Sequence, residues 1–268
     1  MARTTIAEIQ QLKGKRKLIA MTSYDYELAR IMERAGPEIL LVGDTGGKYN
    51  LGGEDIEATV DEMVLLTRSV SRAAKRALVV GDMPFMSYQI SIEAAIANAG
   101  RFLKEARADA VKLEGGEEVA PTVRAIVRAG IPVMGHMGLT PQTALAYGGD
   151  FRSEHANVGE DKIRRDAFAL QEAGVFAIVL TRVPPALAAD LTTELRVPTL
   201  AGGGSGDDCD GVVCVIHNQL GLRADEIDTP RAKYGPLAIP IFEAAKQYCE
   251  DVRGGKAVRS GNDAVPVR

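Results

Sequence analysis

Eight short apolar runs, mostly followed by amphipathic helical patterns, restrict the fold of this chain more than any other feature. "KLIAMTSYD" reads as a strand and "YELARIMERAG" as its helix, ending at Gly36. "EILLVGD" is a second strand, and "VDEMVLLTRSVSRAAK" a helix with acids at its start and bases at its end. "ALVVGD" is a third, followed by "SIEAAIANAGRFLKEA" with Ser91 as N-cap. The pattern continues through "AVKLEGG", "IPVMGHMG", "VFAIVL", "VPTLAGGG" and "GVVCVIH". Strands this continuously apolar belong in a parallel sheet covered on its faces by helices. Eight βα units predict an α/β fold, a (β/α)8 TIM barrel, over residues 1–254 as a single domain. An open doubly wound sheet is the runner-up, but the first strand lacks a glycine-rich dinucleotide turn. "TTIAEIQQLKGK" predicts an extra N-terminal helix at the bottom of the barrel. Residues 255–268 carry no apolar period and read as a flexible tail.

Composition narrows the partners. The chain has 268 residues, 46% hydrophobic and 25% charged, with a net charge of −4. It can bury a full core, and its charge gives no sign of nucleic acid or an anionic membrane as partner. The N-terminus lacks a secretory apolar region, and no run approaches a membrane span. Cys209, Cys214 and Cys249 have no paired metal or redox spacing, so a reduced, cytoplasmic setting is expected.

In a barrel the C-terminal strand ends meet at one mouth. Here those ends read Ser23, Tyr24 and Asp25; Asp44 and Thr45; Asp82; Lys112 and Glu114; His136; Thr181 and Arg182; then glycines 202–204. Aspartate and glycine end strands in ordinary turns, and one such residue means little. Asp44, Asp82 and Glu114 at one mouth are different, because three carboxylates repel unless a cation or a proton holds them. An oxygen-only set favours a hard ion such as Mg²⁺ over zinc. Lys112 points to the same side of its strand as Glu114; it pairs with a carboxylate or neutralises an anionic substrate.

The motifs "MTSYDYELARIMERAG", "LLVGDTGG", "VVGDMPFMSY", "NAGRFLKE", "DAVKLEGG", "IPVMGHMGLTPQ", "DAFALQEAGVFAIVL" and "CDG" follow one another in order from about residue 18 to about residue 222. With them the chain resembles the ketopantoate hydroxymethyltransferase family of the phosphoenolpyruvate mutase/isocitrate lyase barrels. The resemblance implies a Mg²⁺-dependent enzyme in pantothenate biosynthesis that acts on an α-keto acid through a metal-stabilised enolate. A one-carbon unit would come from methylenetetrahydrofolate. It implies Asp44 and Asp82 as metal ligands that bind substrate through the metal, which chelates the keto acid, with Glu114 ligating directly or through water. Lys112 would bind substrate oxygens, Thr45 would help hold the carboxylate, and His136 would line the pocket or serve only as a hydrogen-bonded structural residue. It also implies a homo-oligomer, a decamer of pentameric rings.

The chain departs from that pattern where a catalytic Glu is expected after the sixth strand. It reads "IVLTRVPP", with Thr181 in that place and Arg182 next. A threonine hydroxyl is no general base and arginine is permanently protonated. Arg182 adds a charge for a second anionic group on the substrate or is a solvated loop residue. Glu117, Glu154 and His155 are other sources of a base. The glycine run is followed by Asp207, Asp208 and Asp210, which argue against a phosphate site there, and Asn218 replaces an Asp. Two enzymatic readings result: hydroxymethyl transfer with an unusual base, or a paralogue using the same centre for other C–C bond formation, C–C cleavage or decarboxylation. A non-catalytic barrel is the weakest reading, since the metal and keto-acid residues are all present.

Overall fold

The computed structural model describes residues 3–147 and 158–256. They divide into two compact units, Met1–Cys214 and Val215–Arg268. In the first, eight parallel strands close into a barrel in sequence order. The order is α1 (Ile6–Gln11), β1 (Leu18–Thr22), α2 (Tyr26–Ala35), β2 (Ile39–Val42), α3 (Thr45–Leu51), α4 (Val60–Ala73), β3 (Leu78–Asp82), α5 (Ile92–Lys104) and β4 (Ala110–Glu114). It continues with α6 (Ala120–Arg128), β5 (Val133–Gly138), α7 (Glu160–Ala173), β6 (Ala177–Thr181), α8 (Pro185–Glu194), β7 (Thr199–Ala201) and β8 (Gly211–Cys214). The second unit holds α9 (Ile216–Gln219) and α10 (Ala238–Arg253). The expected tail at 255–268 lies outside the described residues beyond Lys256.

The helix signals act where the sequence places them. Ser91 accepts a hydrogen bond from the Ala94 amide at the start of α5, and Gly36 ends α2 with a φ of 88°. The N-terminal helix α1 carries a capping box between Thr5 and Glu8. Its Ile9 is fully buried in one cluster with Leu18, Ile39 and Leu78 from the strand starts, so α1 closes the bottom of the barrel. The three cysteines are free.

Two elements differ from the sequence reading. The eighth strand stops at Cys214, and Ile216–Gln219 turn into α9. More important for the site, α3 begins directly after Asp44, where the sequence shows only a break. Its glycines hide a helical pattern, because glycine is a poor helix former. Packing supplies the reason for them: a Cβ at Gly46 would sit 2.8 Å from the Tyr24 ring and 3.0 Å from Leu66. Gly46→Ala therefore forces α3 outward and is expected to cost about 1–3 kcal/mol by overpacking. Thermal melting checks this, and weaker cation binding should accompany it because Asp44 is the residue that α3 springs from.

Candidate metal centre and keto-acid site

Side chains on a strand alternate faces, so the inward set on β3 runs Val80, Asp82; on β4, Ala110, Lys112, Glu114; on β5, Met134, His136; on β6, Ala177, Val179, Thr181. The lower members fill the core, and the upper members form the site. Strand register then sets their neighbours: Asp82 pairs with Lys112 and Glu114 with His136. Asp44 joins from the end of β2, as the residue before α3, with a side chain that makes no helix-capping bond.

One ligand oxygen from each of Asp44, Asp82 and Glu114 lies within 4.8 Å of the others. All three carboxylates are buried, at 3%, 1% and 1% exposure. Lys112, 3% exposed, stands among them with its Nζ 2.7 Å from Asp82 Oδ2 and 3.7 Å from Glu114 Oε1. Three buried negative charges against one positive charge leave an excess that solvent cannot screen. Burial, and then the neighbouring Asp82 and Glu114 charges, push Asp44 well above the usual carboxylate range. Burial also raises Asp82, against the pull of Lys112. Burial would raise Glu114 too, but His136, Lys112 and the Gln142 amide outweigh it and hold it at about 2. Lys112 is desolvated, yet the surrounding carboxylates raise it and keep it charged.

The carboxylates differ in how far the protein satisfies them. Asp82 Oδ2 takes Lys112 and the Asp44 amide, while Asp82 Oδ1 is buried without a hydrogen-bond partner. Glu114 Oε2 takes the Gln142 amide, while Glu114 Oε1 is buried and faces His136 Nδ1 at 3.1 Å and Lys112 Nζ at 3.7 Å. Unpaired buried carboxylate oxygens are costly and mark a place for a missing partner. A hard divalent cation fits this donor set: oxygen only, excess negative charge, no thiolate.

The raised Asp44 and Asp82 give a pH prediction with a definite sign. An acid raised on folding destabilises the metal-free protein increasingly as pH rises from its unfolded value, ~3.9, through the folded one. A cation replaces the protons that these groups otherwise keep. Thermal stabilisation by Mg²⁺ is thus expected to increase as pH rises above the unfolded value of ~3.9, with protons released on binding. Calorimetry in buffers of different ionisation enthalpy measures that release.

His136 and Thr181 meet at the same mouth. His136 Nε2 lies 2.7 Å from Thr181 Oγ1, and Nδ1 lies 3.0 Å from Lys112 Nζ and 3.1 Å from Glu114 Oε1. A neutral imidazole that accepts from Lys112 at Nδ1 carries its proton on Nε2; a charged imidazole carries one there as well. With Nε2 protonated, His136 donates to Thr181; with the neutral ring's proton on Nδ1 toward Glu114 Oε1, Nε2 accepts from the Thr181 hydroxyl. Arg182 is half-buried, with a φ of 52° in the left-handed region, and its amide donates to the Gly203 carbonyl at 2.9 Å. Thr45 is half-buried, its hydroxyl 2.7 Å from that of Tyr24.

The other candidates lie apart from this cluster or outside the described residues. The Glu117 carboxylate is exposed and sits 3.6 Å from Arg165. Glu154 and His155 fall outside the described residues. Asp210 accepts from Lys13 and the Gly14 and Thr199 amides, a structural role at the start of β7.

Sequence reasoning missed two residues. Tyr88, 2% exposed, accepts from the Glu114 amide and has two acceptors in reach, Gln142 Oε1 at 2.6 Å and the Glu114 carbonyl at 3.0 Å. Gln142, 7% exposed, places Nε2 2.9 Å from Asp44 Oδ2 and 3.2 Å from the Met83 carbonyl. Both stand in motifs that carry the family resemblance, but a neutral side chain in a loop gives no signal of the long-range bonds it makes.

Comparison with known proteins agrees with this architecture. The family model for ketopantoate hydroxymethyltransferase matches residues 3–257. The chain is similar to 3-methyl-2-oxobutanoate hydroxymethyltransferase of Syntrophobacter fumaroxidans, at 50% identity over 255 residues, covering 94% of this chain and 90% of that one. It is also similar to the same-named protein of Moorella thermoacetica, at 50% identity over 262 residues and 95% of each chain. Among solved structures, phosphoenolpyruvate phosphomutase from Streptomyces platensis subsp. rosaceus aligns with a TM-score of 0.66 at 16% identity, covering 98% of this chain and 92% of that one. A phosphonopyruvate hydrolase solved with oxalate and Mg²⁺ aligns with a TM-score of 0.63 at 15% identity, with the same coverage. Likenesses at those identities bear on the barrel fold alone.

Proposed function

Because the chain belongs to the ketopantoate hydroxymethyltransferase family, a family of transferases, we propose that it acts on an α-keto acid with Mg²⁺ held by Asp44, Asp82 and Glu114. The observation that carries this reading is the buried three-carboxylate centre, in which Asp82 Oδ1 has no hydrogen-bond partner. When bound there, the cation would chelate the keto acid and stabilise the negative charge that develops on its keto oxygen. Lys112 supplies a fixed positive charge for the same oxygens, and needs no reorganisation because Asp82 already orients it. Thr45 offers a hydroxyl to the substrate carboxylate from the first turn of α3. His136 holds Thr181 at the mouth through the Nε2–Oγ1 hydrogen bond.

The one-carbon unit is read as coming from methylenetetrahydrofolate, the expected co-substrate for hydroxymethyl transfer. The assembly is read as a homo-oligomer. The exposed apolar side chains Ile241, Phe242, Tyr248 and Val252 of α10 support that reading, and light scattering measures it. Among the described residues no helix is long and apolar enough to cross a membrane.

The test is to incubate the protein with Mg²⁺ and 3-methyl-2-oxobutanoate in deuterated water and follow the C3 proton by NMR. Methylenetetrahydrofolate is then added. Mg²⁺-dependent loss of the C3 signal followed by formation of ketopantoate is expected. Absence of both exchange and product would remove the hydroxymethyl-transfer reading.

The Thr181–His136 bond favours a second reading. The Thr181 hydroxyl, hydrogen-bonded to His136, is no general base for a carbon acid. A keto acid with a carboxylate on C3 reaches the same anion without proton removal: the C–C bond breaks, CO2 leaves, and its electron pair stays on the enolate. CO2 release from oxaloacetate that depends on both Mg²⁺ and Lys112 would support this paralogue chemistry.

A further inference from the structure

We propose that Gln142, oriented by Tyr88, is a positioning residue that selects which carboxylate oxygens face the cation and thereby sets metal affinity. This rests on the metal reading above, and adds to it a residue that does not itself ligate.

The orientation of the Gln142 amide is fixed by its neighbours. Asp44 Oδ2 and the Met83 carbonyl are both acceptors, so the nitrogen must face them. The oxygen then faces Tyr88, whose hydroxyl proton it receives at 2.6 Å. Gln142 thus uses both amide donors and its amide acceptor inside the protein. Its backbone amide donates to Glu114 Oε2 at 2.9 Å. From one position after β5 it grips the ends of β2, β3 and β4.

The effect on the carboxylates is directional. Gln142 occupies Oδ2 of Asp44 and Oε2 of Glu114, which turns Glu114 Oε1 toward Lys112 and His136 in the centre. Lys112 and the Asp44 amide occupy Oδ2 of Asp82, leaving Oδ1. In Asp82 one oxygen is tied to the protein and the other is free; in Glu114 one oxygen is tied to the Gln142 amide and the other turns into the centre beside His136 and Lys112. Outer partners that orient ligands in this way typically contribute about 10- to 100-fold in metal affinity. Tyr88 supports the set twice, through the Gln142 amide and through the Glu114 main chain.

Gln142→Leu removes the amide and keeps the backbone donor to Glu114. Tyr88→Phe removes one hydroxyl and keeps the ring. Each variant of the full chain is titrated with Mn²⁺, with free ion followed by electron paramagnetic resonance, and each metal-free form is melted to report its fold. We expect Gln142→Leu to weaken Mn²⁺ binding about 10- to 100-fold. Tyr88→Phe should weaken it less, and the double variant should fall short of the product of the two effects, because both act through one amide. Affinity within twofold of wild type in a folded Gln142→Leu protein would overturn the proposal. If Gln142→Leu does not fold, unchanged affinity in Tyr88→Phe overturns it equally. Wild type that binds no Mn²⁺ would instead overturn the metal reading on which it stands.

Discussion

Lys112→Met is expected to destroy turnover while leaving the cation bound. Lys112 is the ammonium among three buried carboxylates, within 2.7 Å of Asp82 and 3.0 Å of His136. Removing one partner of a buried ion pair leaves an uncompensated charge and costs about 3–5 kcal/mol. For a chain of this size that corresponds to a fall in melting temperature on the order of 10 °C for the metal-free protein. Mg²⁺ should restore part of the loss, because it supplies the missing positive charge, and its affinity should hold or rise. Turnover should still fall by about 10²–10³-fold, as for other preorganised electrostatic groups. Melting with and without Mg²⁺, together with the NMR assay, separates the two effects. A variant that is stable without metal and fully active would show that Lys112 neither balances the carboxylates nor meets the substrate.

Thr181→Glu is expected to raise the rate of C3 proton exchange by about 10²–10⁴-fold, the usual contribution of a positioned general base. Position 181 is the inward-facing end of β6, 2.7 Å from His136 Nε2, so a carboxylate there gains a donor that orients it. Without it, wild type retains only the electrostatic part of the catalysis. The same NMR experiment on both proteins decides this. Equal rates would mean that a base from elsewhere already serves wild type and that residue 181 does not limit the reaction.

The parts of this molecule that can be read from its sequence are those with a local signature. Apolar runs that stop on Asp82 or Glu114 reveal both the strand and its functional end, because burial demands one residue type and the mouth another. Period-two alternation by itself puts Lys112 and Glu114 on one face of β4. Gln142 and Tyr88 have no such signature: their importance lies in bonds to residues 98 and 26 positions away. The helix α3 is hidden for the opposite reason. Its glycines lower its propensity, and only the closeness of Tyr24, Leu66 and Ala58 explains them. The departure at Thr181 is visible in the chain, but its meaning comes from geometry, since only the structure shows that its hydroxyl is engaged by His136.

The central claim is that Asp44, Asp82 and Glu114 hold one divalent cation. Calorimetric titration of Mg²⁺ or Mn²⁺ into wild type, beside a protein with both Asp44→Ala and Asp82→Ala, tests it most directly. One cation per barrel is predicted for wild type and no binding for the double variant. Cation binding that survives both substitutions, in a protein that remains folded, would contradict the account.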